Sequence, residues 1–114
     1  MDTQSTVMAW DTALRASDWE GARSLLTDDA SYRAPDPPID CANPDEIIDL
    51  MRSFKGVNPD VELLELEVFG DHAVASLRQP AWDAEWFQVI TVRDDQIASL
   101  EDFPTRVSAL ASMS

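Results

Sequence analysis

The sequence predicts an α+β fold, and three observations carry the prediction. Apolar residues recur at helical spacing in the first half, at Val7, Trp10 and Leu14, then Trp19, Ala22, Leu25 and Leu26, then Ile47, Leu50, Met51 and Phe54. After Asp60 the period switches to two, with Leu64, Leu66 and Val68 alternating with Glu65 and Glu67. Short polar turns at Gly70-Asp71 and Asp94-Asp95 then join successive strands, which makes them antiparallel neighbours rather than βαβ units.

The first helix carries Ala13 and Ala16 beside its apolar stripe and breaks near Ser17, where S-D-W-E reads as a capping box between Ser17 and Glu20. The second helix is expected to be short, weakened by Gly21 and ending near Thr27-Asp28-Asp29. Ala30 to Ala34 reads as a short strand centred on Tyr32, and the prolines at 35, 37 and 38 make Ala34 to Ala42 a loop. Asn43 caps a third helix with Pro44 at its first position and Asp45 and Glu46 facing the positive end of the dipole; Gly56 supplies its stop.

Among the strands, Ala73 to Gln79 returns from the Gly70-Asp71 turn and is interrupted by Pro80. Glu85 to Arg93 is nearly all apolar or β-branched and reads as a central strand covered on both faces. Gln96 to Phe103 is the last strand, stopped by Pro104, and Val107, Leu110 and Ala111 form a final helical turn or a docked tail.

Composition bounds the function. With 114 residues the chain is expected to form one domain, 1–114, large enough for a core. Eight Lys and Arg against 22 Asp and Glu give a net charge of −14, which repels phosphate backbones and anionic membrane surfaces, so neither nucleic acid nor membrane is an expected partner. The single cysteine, Cys41, makes no internal disulfide and no structural zinc site, and His72 is the lone histidine, so no metal is expected. Cys41, the absence of a basic-then-apolar leader in MDTQSTVMAW and the lack of any apolar run near 20 residues lead to an expected cytoplasmic protein.

The segments W-D-T-A-L-R-A-S-D-W-E-G-A-R-S-L-L-T-D-D-A-S-Y-R-A-P at 10–35, P-D-E-I-I-D-L-M at 44–51 and F-Q-V-I-T-V-R-D-D-Q-I-A-S-L-E-D-F at 87–103 stand in the order and spacing of a known superfamily. Through them the chain resembles the nuclear transport factor 2-like proteins, which include ketosteroid isomerases, SnoaL-like polyketide cyclases, scytalone dehydratases and limonene epoxide hydrolases. The resemblance implies a cone-shaped, cystatin-like α+β barrel, with three N-terminal helices packed on a strongly bent, mostly antiparallel sheet. It also implies a pocket for a small, largely apolar ligand, lined by the first helix, the first strand and the concave face of the sheet.

One fold hosts many chemistries, so the site must be argued from residues. Ketosteroid isomerase-like enzymes place a catalytic Asp just before a Pro at the end of the first strand; here Ala34 stands there, with Asp36 and Asp40 nearby in the expected loop. Asp102 is the alternative carboxylate. Strict alternation puts it on one face with Ala98 and Leu100, and Ile97, Ser99, Glu101 and Phe103 on the other. On a concave face it suits proton transfer, and SnoaL-like cyclases use an Asp in this late region. Tyr32 is either a core tyrosine or the hydrogen-bond donor to a ligand oxygen. Gln88 interrupts an apolar strand and so needs a partner or a ligand; Trp82 and Trp86 share its face, and Trp10 is positioned to meet them. His72 at a hairpin turn reads as exposed and inert, and Arg78 as pairing an acid on a neighbouring strand.

These readings converge on a SnoaL-like pocket protein for an apolar or aromatic small molecule. If catalytic, it is a cofactor-free isomerase, cyclase or dehydratase, with Asp102 and Tyr32 in the chemistry and Trp10, Trp86 and Gln88 on the substrate. The alternative is a non-catalytic dimerisation or ligand-binding module, since the family often forms homodimers through the open sheet face, and the last strands here are rich in Val, Ile and Leu.

Overall fold

The computed structural model describes residues 2–35, 38–57, 61–80 and 83–113. The elements run α1 (Thr3–Arg15), α2 (Trp19–Ser24), β1 (Leu26–Pro35), β2 (Pro38–Cys41), α3 (Pro44–Val57), β3 (Glu62–Phe69), β4 (His72–Gln79), β5 (Ala84–Arg93), β6 (Gln96–Phe103) and α4 (Arg106–Ser112). Six strands form one sheet in the order β2-β1-β6-β5-β4-β3, in which only the β1–β6 pair is parallel. The α+β class is as the sequence predicts; β2 is an additional strand, and of the two readings of the C-terminal segment the helical one is taken, as α4.

Asp2 caps α1 by accepting from the Ser5 amide, and the helix buries Thr3, Thr6, Val7, Trp10 and Ala13 along one stripe. The two threonines are tolerated there because Thr3 donates to the Gly70 carbonyl and Thr6 to that of Asp2. The break falls at Ser17, as expected, but Asp18 is the cap of α2 and holds the Gly21 amide at 3.0 Å. Ser17 has φ of 55°, and a cap needs extended backbone, so the serine makes the turn and its neighbour makes the cap.

Gly21 faces that cap closely: a Cβ there would run into the Asp18 carboxylate. Gly21→Ala should therefore bring no net stability. The gain of about 1 kcal/mol in helix propensity is offset by loss of a cap worth about the same. Urea unfolding would show this, and a variant stabilised by the full propensity gain would refute it.

Several boundaries differ from the sequence reading because strand pairing overrides local preference. Helix α2 stops at Ser24, and Leu26 already lies in β1, held by the Ile97 amide donating to the Leu25 carbonyl at 2.6 Å and by the Leu26–Ile97 register. Part of the expected 34–42 loop is β2, in register with β1 from Tyr32–Cys41 to Pro35–Pro38. An edge strand tolerates proline because its outer amides need no partner in the sheet. Asp36 lies outside the described residues.

Asn43 caps α3 through the Glu46 amide, while Glu46 returns to the Ala42 amide. The helix runs past Gly56 to Val57, so the expected stop is not taken there. Its buried face is Ile47 and Ile48, flanked by half-buried Leu50 and Met51, whereas Phe54 is exposed.

Two register shifts correct the face assignments. In β3 the pairing skips from Leu63–Leu77 to Glu65–Ser76, leaving Leu64 without a partner and 51% exposed. Leu63 and Leu66 therefore pack on the core, while Val68 is exposed near the strand's end. In β6 the pairing skips from Thr91–Ser99 to Val92–Ile97. Ile97 thus joins Leu100 in the main core instead of facing the other side, and strict alternation holds only beyond the bulge.

The sheet consequently has two unlike faces. The inner face carries Tyr32, Leu100, Ile90, Ala73 and Ala75 and shares one core with Val7, Trp10 and Ala13 of α1 and with Ile47 and Ile48 of α3. The outer face carries Val74 and Val89, covered by Ala109 of α4 with Phe87, Phe103, Leu110 and Met113 around them. The expected C-terminal turn is thus a capped helix, with Thr105 and Ser108 forming a reciprocal capping box. An Arg106–Glu67 ion pair ties α4 to β3. Part of the apolar surface that the sequence left for a second copy is covered by α4 itself. Asp94 and Asp95, at φ of 53° and 63°, make the tight turn between β5 and β6.

Candidate functional site

Strand register assembles a polar group from three strands on the inner face. Gln88 of β5 stands opposite Asp102 of β6, and Tyr32 of β1 stands beside Leu100, one step along β6. From there the Tyr32 hydroxyl donates to Asp102 Oδ2 at 2.6 Å. Gln88 Nε2 donates to Asp102 Oδ1 at 2.9 Å and to the Tyr32 oxygen at 3.3 Å. Both carboxylate oxygens therefore hold a donor, and the carboxylate is oriented from two sides.

The group sits where water is scarce. Tyr32 is 4% exposed and Gln88 is buried, while Asp102 is half-buried and retains a path to solvent. Burial pushes the Asp102 carboxyl above its ordinary value, and the bonds from Tyr32 and Gln88 pull back only part of that rise. The Tyr32 phenol is held well above its usual range by burial and then by the Asp102 charge, so it remains a donor at physiological pH. A partly desolvated carboxylate with fixed geometry can exchange a proton with a ligand.

Trp86 lies one inner-face step from Gln88 along β5, opposite Leu77, and its indole Nε1 is buried without a partner. Trp10 is part of the main core with Tyr32 and Leu100, a cluster that does not include Trp86. Trp82 lies outside the described residues.

The remaining candidates separate from this group. Ala34 is half-buried, and continuing the Arg33–Glu101 register by one residue brings it beside Asp102. Asp40 is exposed, 3.7 Å from Arg33. His72, expected exposed, is half-buried with Nδ1 3.0 Å from the Thr91 hydroxyl, because it opens β4 instead of standing in the turn. Arg78 lies 3.5 Å from Asp83 in the β4–β5 connection, not from an acid on a neighbouring strand. Cys41 is buried opposite Tyr32, and burial raises its thiol.

Two surface clefts, of about 310 and 660 Å³, flank the Asp94-Asp95 turn and include none of Tyr32, Gln88 or Asp102. Among the described residues no cluster of three His, Cys, Asp or Glu side chains is arranged to hold a metal ion, and no helix is long and apolar enough to cross a membrane. Sequence reading missed the bonds that join Tyr32, Gln88 and Asp102 and the unpartnered indole N–H of Trp86. Both depend on strand register, for which no local signal exists.

A six-stranded sheet with α1, α2 and α3 on its inner face, α4 on its outer face and a carboxylate held on the inner face is the α+β arrangement of the nuclear transport factor 2-like fold. The chain belongs to the SnoaL-like domain family, whose model matches residues 7–100. Comparison with curated proteins gives no match. Among solved structures it is similar to a nuclear transport factor 2-like protein of unknown function from Cytophaga hutchinsonii, with a TM-score of 0.77 at 11% identity over 96% of each chain. A candidate polyketide cyclase from Sinorhizobium meliloti superposes with a TM-score of 0.77 at 19% identity, over 90% of this chain and 100% of that one. A protein of ketosteroid isomerase-like fold from Catenulispora acidiphila, solved with trimethylamine, gives 0.71 at 16% identity over 93% and 89%. At these identities the likeness shows the fold.

Proposed function

We propose that this protein binds an apolar or aromatic small molecule on the inner face of its sheet and carries out cofactor-independent acid/base chemistry there, as an isomerase, cyclase or dehydratase. The observation that carries this reading is the Asp102 carboxylate, half-buried and held at 2.6 Å by Tyr32 and 2.9 Å by Gln88. Asp102 is the proton-transfer residue. Tyr32 and Gln88 orient it and absorb the change in charge as the proton comes and goes. The strand pairing supports the same assignment: Ala34 leaves the family's usual base position without a carboxylate, and β6, paired with β1 as far as Arg33–Glu101, carries Asp102 as its next residue. The polyketide cyclase and ketosteroid isomerase descriptions of similar structures agree with the reaction class. Homodimerisation belongs to the same proposal and falls to the exposed apolar side chains on the outer side, Phe69 of β3 and Val107 of α4, the latter 77% exposed.

The test is exchange of an activated C–H. In D2O the protein should accelerate deuterium incorporation into 2-tetralone, followed by NMR. Asp102→Asn should lower the rate by about 100-fold or more, the usual worth of a positioned general base. The variant is expected to fold, since Asn buries no charge. Equal rates for the folded variant and the parent would defeat the catalytic reading and leave a binding module.

A further inference from the structure

The sheet ends on two unlike strands. At one edge, β2 is four residues long and opens with Pro38, features that blunt an edge. At the other, β3 runs for eight residues without proline and pairs with β4 alone among the described residues. An edge strand aims part of its backbone N–H and C=O groups away from its neighbour, which is a template for one more strand. Of the six large apolar side chains exposed among the described residues, three lie on β3: Leu64 at 51%, Val68 at 43% and Phe69 at 45%.

The bulge sorts β3 into two rows. Leu64 is the extra residue, so Glu62, Glu65 and Glu67 stand opposite Arg78, Ser76 and Val74 on the outer face. Leu63, Leu66 and Val68 stand opposite Leu77, Ala75 and Ala73 on the inner face. Beyond the bulge the ladder is regular over residues 65–69, a stretch of about 17 Å at the usual rise of a strand. Val68 also lines the cleft of about 660 Å³, whose charged groups are Asp2, Asp71, Asp94, Asp95 and one cation, Arg93. The inner row therefore opens on accessible space beside acids.

Charge selects the occupant. The strand itself carries no Lys or Arg. The cations facing the outer row are engaged: Arg106 holds Glu67 at 2.5 and 2.8 Å, and Arg78 lies 3.5 Å from Asp83. Glu62 and Glu65 are exposed. A second copy of the chain fits this edge poorly. Symmetric antiparallel pairing about Glu65 or Leu66 sets glutamate opposite glutamate, and each copy carries a net charge of −14. A strand that alternates Lys or Arg with Val, Ile or Leu complements both rows at once, because its side chains also alternate between the two faces.

We infer that β3 is a docking edge for an extended segment of another protein, one that alternates basic with aliphatic residues and adds to the sheet along residues 65–69. Main-chain hydrogen bonds to the open edge hold the segment. Its basic side chains continue the glutamate row on the outer face, and its aliphatic ones continue the row of Leu66 and Val68 on the inner face. This docking is independent of the chemistry proposed for Asp102.

The experiment titrates a blocked peptide of three Lys-Val repeats into the protein at low salt, followed by ¹⁵N–¹H NMR and amide hydrogen exchange. The peptide should bind saturably, slowing exchange at residues 65–69 and leaving β2 unchanged. The same peptide with its backbone amides methylated keeps every side chain and charge but has no donors, and it should not bind; Glu-Val repeats should not bind either. Glu65→Lys, a change at an exposed position, should weaken the Lys-Val peptide about fivefold, the worth of reversing one cross-strand charge pair. No saturable binding, equal binding of the methylated peptide, protection elsewhere than residues 65–69, or unchanged affinity in Glu65→Lys would overturn the inference. Exchange at residues 65–69 that slows with protein concentration alone would assign the edge to a second copy and overturn it as well. Should Glu65→Lys fail to fold, the comparison of the three peptides on the parent protein decides the matter.

Discussion

Leu100→Ala is expected to remove about 3–5 kcal/mol of stability, a large share of the roughly 5–15 kcal/mol that holds a domain together. Leu100 is 1% exposed and stands in register between Tyr32 on β1 and Ile90 on β5. These neighbours lie on the two strands that flank β6 and cannot close readily over the space left by the lost side chain, so a cavity term adds to the transfer term. Urea denaturation should show a lower midpoint with an unchanged slope. A loss under about 1 kcal/mol would mean that the inner face repacks freely, contrary to the single core described.

Tyr32→Phe should cost about 1.5–3 kcal/mol, the usual worth of a hydrogen bond to a charged group, and the cost should depend on pH. The ring stays in the core, but Asp102 keeps only the Gln88 donor. Burial raises the Asp102 carboxyl, and the Tyr32 bond acts against that rise, so its removal raises the carboxyl further. A carboxyl raised in the folded state destabilises the fold as pH climbs from the unfolded value of about 3.9 through the folded one. The variant should therefore lose more stability at pH 7 than at pH 4, read by thermal melts at both. An equal loss at the two pH values would show that Asp102 does not feel Tyr32 as a charge-stabilising donor.

Much of this architecture is legible in the chain. Val7, Trp10 and Ala13 announce α1 by spacing, Asn43-Pro44 announces the start of α3, and the Gly70-Asp71 and Asp94-Asp95 pairs announce hairpins. Each is a local preference that acts within a few residues. The candidate site was legible as residue types: Gln88 interrupts an apolar strand, Asp102 shares a face with Leu100 by alternation, and Tyr32 is the sole tyrosine. Trp10, grouped with them by chemistry, shares the main core with Tyr32.

What sequence alone determined is therefore the class of fold, the order of its main elements and the polar residues that apolar strands do not easily hold. The tertiary structure decided the rest through register. Parallel pairing of β1 with β6 turned the end of the expected second helix into strand and brought Tyr32 to Asp102 across 70 positions of sequence. The bulges in β3 and β6 reassigned Leu64 and Ile97, because one extra residue reverses every later side chain on a strand. Pairing of this kind is fixed by the packing of the whole sheet against its helices, and no short stretch of the chain contains that information.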